Sequence, residues 1–65
     1  MQIDVDITRV EPGLILARPI TYGGRRWFED NVSANSPMHQ GAYVIAGESI
    51  DYFFDEMIEE GLVAF

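Results

Sequence analysis

The residue types that most often do chemistry are sparse in this chain and poorly spaced for it. There is no cysteine, so thiolate nucleophiles, disulfides and zinc sites of the cysteine type are all excluded. His39 is the only histidine. It lies in the polar stretch DNVSANSPMHQG, and no serine, aspartate and histidine set is spaced to act with it. Asp4 and Asp6 share one face of a strand-like stretch, but two carboxylates with no further ligands at loop spacing hold a divalent ion poorly. Gly23-Gly24 lacks the following helix that a phosphate-cradling loop requires. These patterns point away from an enzyme and imply no cofactor and no metal.

Two clusters remain. Arg25, Arg26 and Trp27, with Tyr22 nearby, form the one basic and aromatic group, a composition that stacks on bases, anchors a protein interface or, with Trp27 inside, simply belongs to the fold. The other cluster is acidic. In ESIDYFFDEMIEE, residues 48–60, Glu48, Asp51, Asp55, Glu56, Glu59 and Glu60 surround Tyr52, and no Lys or Arg occurs from Ile45 onward. On a helix, Asp51 with Asp55, Asp55 with Glu59 and Glu56 with Glu60 are like-charge neighbours at i,i+4, and Glu48 with Asp51 and Glu56 with Glu59 at i,i+3. Each pair costs roughly 0.2 to 0.5 kcal/mol, and Glu59 and Glu60 also sit at the negative end of the helix dipole. A few lysines would remove this cost. Acidic faces keep small proteins soluble, but carboxylates about 6 Å apart along a helix also approximate the charge spacing of a nucleic-acid backbone. Such a surface fits a basic groove made for DNA or RNA, with Tyr52 as an aromatic anchor.

The elements that must position these residues follow from composition and period. Sixty-five residues, of which 48% are hydrophobic and eight are aromatic, make one domain, residues 1–65, with enough apolar side chains for a core. The formal charge of −7 is uneven. Residues 1–44 hold five acids against four arginines, and residues 45–65 hold six acids and no base. Such a field repels nucleic acid and anionic membrane and attracts basic surfaces. No apolar run approaches the roughly 18 residues needed to cross a bilayer, and Ile3, Val5 and Ile7 alternate with Asp4 and Asp6 where a signal peptide would be basic. A soluble protein of the host-cell cytoplasm is expected.

Ile50, Phe53, Phe54, Met57 and Ile58 recur at helical period, predicting an amphipathic helix over 48–60 with Ser49 as N-cap and Gly61 as its left-handed end. Gln2 to Thr8 alternates as a half-buried strand with Ile3, Val5 and Ile7 inward, and Val10-Glu11-Pro12-Gly13 reads as a turn. Leu14 to Tyr22, Gly23-Gly24 and Arg25 to Glu29 read as a hairpin with a two-residue turn, pairing Tyr22 with Arg25, Ile20 with Trp27 and Arg18 with Glu29. Pro19 requires an edge or a bulge. Residues 30–41 read as a surface loop, and Ala42 to Ala46, AYVIA, as a strand buried on both sides. Leu62 to Phe65 is a last short strand or an apolar tail on the core. The expected fold is α+β: a small, twisted antiparallel sheet of four to five strands with one amphipathic helix packed on it.

In size, charge and the segment ESIDYFFDEMIEE, the chain resembles small acidic phage-encoded inhibitors, among them anti-CRISPR proteins that act as DNA mimics. That resemblance implies an inhibitor without catalysis that blocks the DNA-binding surface of a Cas effector subunit or another basic nucleic-acid-binding protein. It implies partner contacts through Glu48, Asp51, Tyr52, Asp55, Glu56, Glu59 and Glu60, with the chain a monomer or weak homodimer. The segment VEPGLILARPI is similar to the stretch that opens the small domain ahead of HD-GYP phosphodiesterases, over eleven residues that also read as strand, turn and strand. The alternative function is a phage structural or adaptor module that binds through the expected hairpin of Tyr22, Arg25 and Trp27 or through a sheet edge.

Overall fold

Pro12 and Gly13 reverse the chain between two strands, β1 (Val5–Glu11) and β2 (Leu14–Pro19). Gly13 takes φ +81°, as the third position of a proline-led turn demands, and Glu11 pairs with Leu14 across it. A bulge at Val10 separates that pair from the Arg9–Ile15 pair. The computed structural model describes residues 2–33 and 35–65. After β2 come α1 (Tyr22–Asn31), a two-residue strand β3 (Met38–His39), β4 (Ala42–Ala46) and α2 (Ser49–Glu59). The sheet is antiparallel in the order β1-β2-β4-β3, which gives the α+β architecture expected from the sequence. Val5 also bridges Ala64 in parallel, so the chain's last residues lie along β1 as a short further strand.

The register fixes which side chains share a face. Val5 pairs with Pro19, Ile7 with Ala17 and Ile15 with Ile45, so these residues point to one side of the sheet. Both helices lie there. Val5, Ile15, Ala17, Trp27, Phe28, Ile45 and Met57 form the buried cluster, with Ile50, Phe53, Phe54, Leu62 and Ala64 packed against it. Phe28 is fully buried and stacks on Tyr43 at 4.7 Å, while Trp27 meets it edge-on at 5.0 Å.

The expected hairpin does not form. Tyr22 to Asn31 is helical, so the pairings of Tyr22 with Arg25, Ile20 with Trp27 and Arg18 with Glu29 do not exist, and β2 pairs with β4 instead. The physical reason lies at the helix start. Thr21 is the N-cap, its hydroxyl accepting from the Gly24 amide at 3.1 Å. Gly24 is needed for closeness, since a Cβ there would come within 2.5 Å of the Asp4 carbonyl oxygen. Gly24, Trp27, Phe28 and Val32 then make a helical stripe against the sheet.

Smaller expectations also shift. Ile3 precedes β1 and is exposed, whereas Val5 is buried as expected. Pro19 ends the inner strand β2 beyond the reach of the β2–β4 ladder, so its missing N–H interrupts no pairing there. Residues 38 and 39 of the expected loop pair with Tyr43 and Ala42. In β4 Ile45 is buried and Tyr43 half-buried on the helix side, while on the opposite side Ala42 is buried, Val44 half-buried and Ala46 exposed, so the second face is covered only in part.

Candidate functional site

Asp4 ties together the segments that hold the helix layer in place. Its Oδ1 accepts from the Thr21 hydroxyl at 2.6 Å and its Oδ2 from the Val63 amide at 2.9 Å. Its backbone carbonyl accepts from the Ile20 amide at 2.8 Å. Hydrogen bonding to Thr21 first, then to Val63, holds the carboxyl below its ordinary value against a smaller opposing effect of burial. Asp4 therefore serves the fold, and Asp6 lies on the sheet's other face. Among the described residues no group of three His, Asp or Glu side chains is placed to hold a metal.

Helix α2 presents the acidic surface. Glu48, not Ser49, is its N-cap; the backbone there is already helical, and no side chain caps an amide. The Ile50 amide instead bonds to the Gly47 carbonyl at 3.2 Å. The other end matches its expected form. Gly61 takes φ +79° and donates to the Ile58 carbonyl at 2.9 Å, and Leu62 donates to the Met57 carbonyl at 3.0 Å. These two bonds make a Schellman closure that lays Leu62 back on the core.

At about 100° per residue, Glu48, Asp51, Tyr52, Asp55 and Glu59 fall within an arc of about 100° opposite the buried Met57. All five are exposed. Tyr52 is 61% exposed and braced edge-on against Phe53 at 5.8 Å. The other two expected site residues stand apart from this row. Glu56 is half-buried, and Glu60 lines a groove of about 370 Å³ with Arg26, Trp27, Asp30 and Leu62.

No arginine neutralises the row. The one ion pair among the described residues joins Arg26 Nε to Asp30 at 3.2 Å within α1, and Arg18 donates to the Gln40 carbonyl at 3.3 Å. The basic and aromatic cluster lies on α1, with Tyr22, Arg26 and Trp27 lining that same groove and Arg25 apart from it. Trp27 is 7% exposed in the core, while Tyr22, Arg25 and Arg26 are exposed around the first turns of α1. His39 is exposed on the edge strand β3.

No helix of the described residues is long and apolar enough to cross a membrane. No protein-family model, no curated protein and no solved structure matches the chain.

Proposed function

We propose that the chain is an acidic interaction protein that blocks a nucleic-acid-binding protein by DNA mimicry, an anti-CRISPR-like inhibitor of a Cas effector. The observation that carries this reading is the outward row Glu48, Asp51, Asp55 and Glu59, which runs the length of α2 with no counter-charge from any arginine. A helix advances about 5.4 Å per turn, so one carboxylate or more per turn lays a line of negative charge on a rigid support. Tyr52 within the row gives a partner one large amphipathic contact. The partner is basic on its DNA-binding surface, and inhibition needs no catalysis by this chain.

The test is competition with a DNA duplex for a Cas effector subunit. The wild-type protein displaces the duplex, and the triple variant Asp51→Asn, Asp55→Asn, Glu59→Gln keeps the fold and loses displacement by at least about tenfold, mainly through a slower association rate. Protein and duplex binding together, indifferent to the three substitutions, rejects the proposal. The adaptor alternative is left with a sheet edge as its surface, because Tyr22, Arg25 and Trp27 lie on a helix and form no hairpin.

A further inference from the structure

Neither helix packs on the other side of the sheet, where Leu14, Leu16, Val44 and Val63 are half-buried and Ala46 and Phe65 exposed, yet its sequence is that of a covered face. In β2 and β4, LILARP and AYVIA, apolar residues do not alternate with polar ones as they do where one face meets water. Leu14 pairs with Ala46 and Leu16 with Val44, so all four point to the uncovered side. The parallel bridge of Ala64 with Val5, both inward, turns Val63 and Phe65 to the same side. Phe65 is 63% exposed. The uncovered face is thus apolar across β4, β2 and the terminal strand, with Asp6 and Thr8 on β1 between them.

We propose that this face associates with the same face of a second copy of the chain. Two features select that occupant. The first is charge. Six of the eleven acids lie in residues 45–65, on or beside α2, and α2 packs on the other side of the sheet. Two copies meeting through their uncovered faces keep those acidic helices apart. The second is self-complementarity. Asp6 and Arg18 are cross-strand partners on this face, but Arg18 turns toward Gln40 and makes no ion pair with Asp6. A two-fold axis parallel to the strands and between β1 and β2 brings Asp6 over Arg18 of the second copy. The same axis sets Leu16 over Thr8 and, because Phe65 lies level with Asp6 and Ala42 level with Arg18, lays the large Phe65 over the small Ala42 of the second copy.

The available area sets the strength. The molecule measures 26 × 22 × 19 Å, so one sheet face buries roughly 500 Å² per copy and about 1,000 Å² in all, at the low end of specific interfaces. An interface this small makes a weak, reversible dimer. It rests on the opposite side of the sheet from the proposed DNA-mimic surface and stands or falls independently of it.

Sedimentation equilibrium from about 10 µM to about 1 mM tests this with full-length protein. The expected result is a mass rising toward twice the monomer, with association strengthened by NaCl as repulsion between two acidic molecules is screened. Phe65→Asp and Leu16→Asp each weaken it by at least about tenfold. The Phe65 side chain is exposed, so that variant keeps the native circular dichroism even where Leu16→Asp does not. Ile58→Asp, equally exposed but on α2, leaves association unchanged. A monomer mass throughout, association indifferent to Phe65→Asp, or association that weakens with salt overturns the proposal.

Discussion

Asp4 accepts hydrogen bonds from the N-cap of α1 and from the terminal strand while its carbonyl receives the Ile20 amide, so three segments distant in sequence meet at one residue. Nothing in the local sequence announces this. Alternation assigns Asp4 to the polar face of a strand, and its partners, Thr21 and Val63, become visible only once the fold is closed. The depressed pKa of its carboxyl gives the residue a pH signature. Folding favours the charged form, so the stabilisation is fully present above the ordinary value of 3.8 and fades as pH falls through that value toward the lower folded one. Asp4→Asn is therefore expected to lower the thermal midpoint at pH 7, and the gap between variant and wild type to narrow below about pH 4. A gap of constant size from pH 7 to pH 3 would mean that the charge of Asp4 contributes nothing to the clasp.

At the scale of the element, α2 and the Pro12-Gly13 turn were readable and α1 was not. Four of the five large apolar residues expected in the α2 stripe, Ile50, Phe53, Phe54 and Met57, face the core while Ile58 is exposed, and Gly61 ends the helix in the conformation expected of it. For α1 the stripe holds only two large apolar residues, Trp27 and Phe28, and begins with two glycines that disfavour helix by up to about 1 kcal/mol each. Adjacent glycines after a strand imitate a primed turn, and tertiary contact overrode that local signal. The two glycines have different roles, which substitution separates. At Gly24 a Cβ would strike the Asp4 carbonyl at 2.5 Å, so Gly24→Ala forces α1 away from β1. A loss of about 1 to 3 kcal/mol is expected, as for overpacking elsewhere. At Gly23 the nearest atom is the Thr21 hydroxyl at 4.0 Å, so Gly23→Ala fits and stabilises by about 0.4 to 1 kcal/mol through the unfolded chain. Urea unfolding of the two variants checks this, and equal effects would refute the close approach as the reason for Gly24.

At the scale of the whole molecule, the chain separates its helices from most of its exposed apolar sheet surface by side. The helices and the acids of α2 lie on one face of the sheet, and a largely apolar surface that also carries Asp6 and Arg18 lies on the other. The acidic row was legible because charge is counted directly from sequence. The division of its seven candidates was not, because the groove that takes Glu60 is built from Arg26, Trp27 and Asp30 of the misread segment. The crowding of charge on α2 has a measurable cost. Asp51, Asp55 and Glu59 follow one another at i,i+4 with no arginine among them, so each repels the next by a few tenths of a kcal/mol at low salt. Raising NaCl from about 10 mM to about 300 mM shortens the Debye length from about 30 Å to under 10 Å, and the unfolding midpoint should rise. The measurement belongs at low micromolar protein, where self-association does not add to stability. Salt also strengthens apolar burial in general, so the slope of the wild type is compared with that of the triple variant Asp51→Asn, Asp55→Asn, Glu59→Gln. The variant should start higher and respond less, the two curves converging as salt rises. Parallel slopes would assign the salt effect to the core, and a midpoint that falls with salt would mean that the acids of α2 are held by arginines in solution.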